Sequence, residues 1–203
     1  MAGADTASTP VRTITLFLVS APYVYNKVKA ELAAAIKAGA VSKPVRFAEA
    51  QKLTYLQAAI NEGLRVLPTT MTGFGKRAPP EGDTVCGMRV PGGVTVHPNN
   101  RAILLDKKVF GDDVHVFRPE RWLECGADRR AAMRNSIDLI FSKGRWQCPG
   151  RLMALAQINK VLVEILRNFD IQVVNAPKPF RVRSYSSILI EDFKIRVTEN
   201  PLD

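Results

Sequence analysis

The chain has 203 residues, 46% of them hydrophobic, and a formal net charge of +10 from 29 Lys and Arg against 19 Asp and Glu. This length suits one domain or two small ones, and it is sufficient to bury a core without disulfide or metal cross-links. The 24% of charged residues and the ordinary Gly and Pro contents exclude wholesale disorder, collagen and low-complexity sequence. No apolar run reaches the roughly 18 residues that a membrane span needs. The apolar stretch 14–19 has no basic region ahead of it and is a poor signal peptide.

The excess of positive charge favours an acidic partner, which is a nucleic acid, an anionic membrane surface or an acidic protein. The basic residues are spread along the chain, and no zinc-finger or RNA-binding signature accompanies them. We therefore expect no nucleic-acid binding. The three cysteines are odd in number and widely spaced, which argues against a disulfide framework and against a zinc site.

Two helical segments separated by a short loop are predicted in the first part of the chain. The first forty residues read as helix, divided into two at Pro22 and ended at Gly39. A further helix is predicted over residues 47–66, because apolar residues recur on one side of it, and Pro68 ends that helix.

The second half mixes short strands, irregular chain and one strong helix. Residues 69–97 are rich in Gly, Pro, Val and Thr, which predicts short strands and turns. Residues 106–147 read as irregular, with a short helix near 129–133. Residues 149–168 predict a helix with proline in its first turn, and residues 171–197 predict a hairpin. The expected fold class is therefore mainly α with small β-sheets, an α+β fold.

One cysteine has neighbours that predict chemistry, in the segment FSKGRWQCPG at residues 141–150. Gly144 and Gly150 flank Cys148, and glycine permits tight turns and the close approach of a flat ligand to the backbone. The cysteine precedes a predicted helix, whose N-terminal amides favour the thiolate form. Phe141 adds an aromatic wall. These features suit a metal ligand or a nucleophile, and the alternative is a buried structural cysteine.

Two further motifs carry charges at suggestive spacings. Glu62 and Arg65 form E-x-x-R, and residues three apart face one another on a helix. Arg121 follows a proline-fixed turn in FRPERW, residues 117–122, from which it can offer a carboxylate two hydrogen bonds. The alternative for the first pair is a solvated surface ion pair that stabilises little.

The chain opens on AGADTAS, residues 2–8. In a helix, Gly3 leaves room against the helix face. Asp5 and Thr6 follow it, and a threonine hydroxyl can bond back to the helix or to a bound ligand.

In this order and at these separations, the four motifs resemble the second half of a cytochrome P450, a member of the haem-thiolate monooxygenase family. AGADT resembles the oxygen-binding groove of the family's central helix, EGLR its E-x-x-R, and PERW its P-E-R-F segment. FSKGRWQCPG resembles the cysteine loop F-x-x-G-x-R-x-C-x-G. The amino-acid sequence is similar to that of fungal, pisatin-demethylase-like members. The resemblance covers essentially the whole chain and implies that residues 1–203 are the C-terminal part of a single, truncated P450 domain.

The resemblance implies a role for each matching residue near the cofactor, haem b. Cys148 would supply the axial thiolate to the iron. Asp5 and Thr6 match the pair that delivers protons during O2 activation. Ala2 and Gly3 would line the oxygen pocket.

Other matching residues would hold the haem or the fold. Glu62, Arg65 and Arg121 match a buried salt-bridge triad, which is a folding element and not a catalytic one. Lys76 or Arg77 lies where the family often has a basic residue near a haem propionate. The further contacts implied around the haem are Phe141, Gly144, Arg145, Trp146 and Gly150. Trp146 stands where the family usually has an arginine. The tryptophan offers one N–H donor and no charge.

The implied activity is oxidation of an organic small molecule, with O2 as co-substrate and NADPH-derived electrons from an acidic partner of the cytochrome P450 reductase type. Lys143, Arg145 and Arg151 beside the cysteine could dock that partner, and the alternative is an ordinary solvated basic surface. Residues 68–74 and 186–189 are candidates for substrate contact. The alternative function is a truncated, non-enzymatic remnant that binds haem weakly or not at all.

The family is typically anchored in the endoplasmic-reticulum membrane and faces the cytosol. Because this chain shows no anchor or signal, the expected location is cytoplasmic or unknown.

Overall fold

The computed structural model describes residues 2–184 and 187–202. Helix α1 (Ala2–Ser20) and helix α2 (Pro22–Lys37) are separated at Ala21, with a proline at the first position of α2. Proline suits that position because its missing N–H has no partner in the first turn of a helix. Two helices divided at Pro22 and ended at Gly39 confirm the prediction.

The prediction of one helix over residues 47–66 is wrong. The structure has helix α3 (Phe47–Ala50) and helix α4 (Thr54–Val66), separated by a turn. The carboxylate of Glu31, on α2, accepts the backbone amides of Tyr55 and Leu56 at 2.8 and 3.0 Å. Because an acceptor from another element pairs with the first amides of α4, this helix can begin at Thr54 without continuing from α3.

The predicted strand region holds two small antiparallel pairs. The strands are β1 (Lys76–Arg77), β2 (Asp83–Val85), β3 (Met88–Val90) and β4 (Thr95–Val96). Strand β1 pairs with β4, and β2 pairs with β3 across a two-residue turn. The prediction of short strands and turns is confirmed.

Residues 106–147 are more helical than predicted. Helix α5 (Asn100–Leu104) precedes this segment, which contains helices α6 (Lys107–Phe110), α7 (Arg121–Glu124) and α8 (Ala127–Leu139). The expected short helix near 129–133 is part of α8, which is 13 residues long. Helix α8 is mostly polar and buries only a narrow face, including Met133 and Ile137, against α4, α5 and α6. An apolar stripe this narrow produces only a weak helical periodicity in the sequence.

The C-terminal part has one long helix and four strands. Helix α9 (Arg151–Asn168) begins two residues later than predicted, so Pro149 lies ahead of its first turn. The strands are β5 (Phe169–Val173), β6 (Arg181–Ser184), β7 (Ile188–Glu191) and β8 (Ile195–Glu199). Strand β5 pairs antiparallel with β8, and β6 with β7. The predicted hairpin is therefore confirmed, with a second antiparallel pair nested inside it.

Helix α1 lies at the centre of the core and contacts α2, α4, α9 and β7. Ile14 of α1 is fully buried, and a Cβ added at Gly63 of α4 would lie 2.4 Å from its Cγ1 atom. Glycine at that position therefore lets α1 and α4 approach closely. The predicted α+β class is confirmed. In the part of the chain that the structure describes, no helix is both long and apolar enough to cross a membrane.

Candidate functional site

The E-x-x-R glutamate lies at the centre of a buried charge cluster. Glu62, Arg65 and Arg121 are each at most 3% exposed. Arg65 donates from Nε and Nη2 to the two carboxylate oxygens of Glu62, at 2.9 and 2.8 Å. Arg121 donates from Nε to Oε1 of Glu62 at 2.8 Å. The structure therefore brings the three residues together as one buried salt-bridge network.

Backbone carbonyls accept the remaining guanidinium hydrogens. Arg65 donates to the carbonyl oxygens of Leu104, Val114 and Val116. Arg121 donates to those of Phe110, Asp113 and Val116. Each buried arginine thereby holds the chain between α5 and α7 against α4. Buried charges are tolerated in a protein when they are paired and hydrogen-bonded in this way.

Three further members of the cluster, Trp122, Asp113 and Arg118, have no role in the sequence analysis. Trp122 donates its indole N–H to Oε2 of Glu62 at 2.9 Å. Asp113 accepts from Nη1 of Arg121 at 2.8 Å and from Nε of Arg118 at 2.7 Å. The tryptophan follows Arg121 directly and could have been found as part of PERW. Asp113 lies in an irregular loop and has no motif of its own.

The stability of the protein is expected to depend on pH through Asp113. The guanidinium of Arg121, together with that of Arg118, lowers the pKa of Asp113 to about 2. Since this folded pKa lies below the unfolded one, the pairing stabilises the fold fully above about pH 4 and is lost as the pH falls toward about 2.

The check is denaturant unfolding of the wild type and Asp113→Asn between about pH 7 and about pH 2.5. The Asp113 side chain is 36% exposed. Solvent screening therefore limits the expected difference to about 1 kcal/mol at neutral pH. That difference should shrink below about pH 4. A difference that stays constant down to the lowest pH would contradict the assignment.

The cysteine loop turns back on itself and leaves the thiol accessible. The amide of Cys148 donates to the carbonyl of Phe141 at 2.8 Å, which closes the loop. Gly144 has φ +67, and no atom lies within 4 Å of the Cβ that any other residue would add there. A side chain would be strained at that φ, and it would cover the open backbone. Cys148 is exposed, and a Cβ at Gly150 would lie 3.8 Å from its sulfur.

Cations and aromatic rings surround this loop. Lys76, from β1, places Nζ 5.5 Å from the ring centroid of Trp146 and 3.4 Å from Oγ of Ser142. The guanidinium of Arg145 lies 4.9 Å from the same ring, and Trp146 is 59% exposed. Arg151 stacks over the ring of Phe141. The loop therefore presents an aromatic surface with two positive charges beside it.

The AGADT residues form the first turns of α1, away from the buried charge cluster. Asp5 and Thr6 are exposed. Ala2 begins the helix, and the position of its side chain lies outside the described part. Gly3 lines an open groove between α1 and α9, whose other walls include Ala7, Val11 and Val161. No residue of the cysteine loop lines that groove.

The predicted residues thus lie in three places in the structure. These are the buried charge cluster around Glu62 of α4, the cysteine loop with Lys76, and the first turns of α1. Helix α1 connects the first and third places, because it contacts α4 directly. The candidate substrate-contact range 186–189 is described only from residue 187 onward, and residue 186 lies outside the described residues.

Comparison with known sequences identifies the class of protein. The sequence model of the cytochrome P450 family matches residues 1–197. The chain belongs to the cytochrome P450 family.

The relatives of the chain include fungal proteins. It is 41% identical over 203 residues to the cytochrome P450 monooxygenase ABA1 of Pyricularia oryzae, with all of this chain and 40% of that protein covered. It is 36% identical over 200 residues to aba1 of Botryotinia fuckeliana, covering 98% of this chain and 39% of that protein. Pisatin demethylase of Fusarium vanettenii is 33% identical over 172 residues, covering 85% of this chain and 32% of that protein.

These matches confirm the resemblance to fungal, pisatin-demethylase-like cytochromes P450. The chain spans about 40% of the length of the first two relatives.

Proposed function

We propose that the chain is the C-terminal, cysteine-bearing part of a single cytochrome P450 domain and that Cys148 ligates the iron of haem b as a thiolate. The geometry of the cysteine loop carries this proposal. The thiol is exposed, the backbone at Gly144 is bare, and aromatic and cationic side chains lie beside it. A flat, dianionic macrocycle needs an accessible sulfur, an uncovered backbone and positive charge at its edge, so these residues fit the group.

When bound, thiolate-ligated haem would supply O2 activation: one oxygen atom would enter an organic small molecule, and the other would leave as water after uptake of two electrons from NADPH and two protons. The protein's own residues bind and orient the group. Lys76 and Arg145 offer charges to the propionates, and Trp146 offers one indole N–H in place of the family's usual arginine. Phe141, Gly144 and Gly150 would form the surface that receives the macrocycle.

Asp5 and Thr6 are proposed to hold and move protons for the bound group. A carboxylate and a hydroxyl one residue apart, exposed on the first turns of α1, can hold and pass protons between solvent and a bound ligand. Ala2 and Gly3 belong to the same turn, and their small size leaves room for O2. Glu62, Arg65 and Arg121 remain assigned to the fold, since all three are buried within the protein.

An acidic redox partner of the cytochrome P450 reductase type is proposed to dock at the cysteine loop. Lys143 and Arg145 are exposed and close to Cys148, which suits an acidic surface. Arg151 contributes less, because its guanidinium forms an ion pair with Asp138 and stacks on Phe141. An ordinary solvated basic surface is the alternative for these residues.

Reconstitution of the purified 203-residue chain with haem tests the proposal. The chain is expected to retain haem at one equivalent, and the reduced sample with carbon monoxide is expected to give the red-shifted absorption band of thiolate-ligated haem. A chain that folds but retains no haem would overturn the proposal in favour of a non-enzymatic remnant.

A further inference from the structure

Helix α1 contains a proline that opens its backbone next to Asp5 and Thr6. Pro10 has no N–H, so it cannot donate to the carbonyl four residues earlier, which is that of Thr6. The hydroxyl of Thr69, in the chain just after α4, donates to this carbonyl at 3.4 Å. A side chain from another segment therefore donates to the carbonyl that Pro10 cannot reach with an N–H.

The same threonine belongs to a set of three hydrogen bonds that joins Thr6, Thr69, Ile188 and Thr9. The backbone of α1 between Thr6 and Thr9 closes this set, which we call the threonine ring. The carbonyl of Thr69 accepts the amide of Ile188, in β7, at 2.7 Å. The carbonyl of Ile188 accepts the hydroxyl of Thr9, on α1, at 3.1 Å. The chain of contacts thus leaves α1 at Thr6 and returns to it at Thr9, one turn further along.

Three of the four residues of the threonine ring are buried, and Thr6 is exposed. Thr9 is 1% exposed, Ile188 is 0% exposed and Thr69 is 9% exposed. Losing a hydrogen-bond partner at such buried groups costs more than at the surface, because no solvent replaces it. Arg12, on the next turn of α1, adds a bond to the carbonyl of Ile190 at 2.8 Å. Strand β7 is therefore held to α1 at successive turns.

We propose that Thr69 is a positioning residue that fixes the Asp5–Thr6 turn of α1 against strand β7, an inference that rests on the proposed function. The first turns of a helix fray unless other segments hold them. In α1 the bond to the carbonyl of Thr6 provides such a hold directly beside the proton-carrying pair. In this role Thr69 acts through its bond to Thr6, by keeping Asp5 and Thr6 at a constant distance from β7.

Hydrogen exchange on the 203-residue chain tests the threonine ring without any cofactor. Thr69→Val removes the hydroxyl at nearly constant shape. The amide of Ile188 keeps its acceptor, the backbone carbonyl of Thr69. Because residue 69 is then no longer bonded to α1, exchange at this amide is expected to become about five- to tenfold faster. Thr69→Ser retains the hydroxyl and should restore the wild-type rate. Thr13→Val is the matched control, because it removes a buried threonine hydroxyl whose bond, within the described residues, stays inside α1, to the carbonyl of Pro10 at 3.1 Å.

A second measurement tests the positioning role in the haem-loaded chain. With reductase and NADPH but no substrate, O2 takes up either two electrons and two protons to give H2O2, or four of each to give two H2O. Thr69→Val is expected to shift the balance from water to H2O2 at unchanged haem content, because proton delivery is impaired. Thr69→Ser and Thr13→Val should keep the wild-type balance.

The outcomes separate the two proposals. Unchanged exchange at Ile188 in Thr69→Val, or an equal acceleration in Thr13→Val, overturns the threonine ring. Faster exchange with an unchanged electron balance overturns the positioning role alone. A chain that retains no haem overturns the proposed function and with it any role in proton delivery, whereas the threonine ring still stands or falls on the exchange rates.

Discussion

Replacing Cys148 with serine is expected to abolish the red-shifted carbon monoxide band of the reduced, haem-loaded chain. A serine hydroxyl has nearly the same size as the thiol, but it stays protonated at neutral pH and is a harder ligand than a thiolate. The electron donation that produces the thiolate spectrum is therefore lost, even if haem remains in the loop. The measurement is the absorption difference between the reduced samples with and without carbon monoxide.

Cys86→Ser is the matched control for this substitution. Cys86 is also an exposed free thiol, and it lies in the turn between β2 and β3. The band should keep its position and amplitude in that variant. A Cys148→Ser protein with the full wild-type band, or loss of the band in Cys86→Ser alone, would refute the assignment of the ligand.

Glu62→Gln is expected to destabilise the protein by about 3–5 kcal/mol, because it leaves buried arginines without their counter-charge. The carboxylate of Glu62 accepts from five donors. These are two nitrogens of Arg65, one of Arg121, the indole of Trp122 and the amide of Arg118. A glutamine has the same shape, but its NH2 group would face donors at whichever position it took. The measurement is the free energy of unfolding in denaturant.

Glu124→Gln provides the comparison for an exposed carboxylate. Glu124 is 63% exposed at its side chain and pairs with Arg118 at 2.8 Å. Its loss should cost less than about 1 kcal/mol, because solvent replaces most of the interaction. Similar costs for the two substitutions would mean that the buried network does not hold α4 to the chain around α7.

The sequence predicted the parts of the site that are encoded in short motifs. The glycines around Cys148, the spacing of Glu62 and Arg65, and the arginine after a proline-fixed turn each express a local geometric requirement, so neighbouring residues reveal them. Asp113 could not be found in this way. It joins the charge cluster only because the loop between α6 and α7 places it beside Arg121.

The same difference explains the errors in the predicted elements. The helix expected over residues 47–66 is interrupted, and α4 receives the carboxylate of Glu31 from α2 at its first amides. Helix α8 was underestimated because its buried face is narrow and most of its residues are polar. In both cases a tertiary contact decides the result, and such a contact leaves no periodic pattern in the sequence.

The sequence by itself determined the family, the identity of the candidate iron ligand, and the pairing of Glu62 with Arg65, because each of these depends on side chains at fixed local spacing. The tertiary structure decided how those pieces are held. Thr69 reaches the carbonyl of Thr6, and the amide of Ile188 reaches Thr69, from distant parts of the chain. Both bonds are accepted by backbone carbonyls, which every residue carries, so no residue pattern predicts them. Only the fold brings the partners within reach.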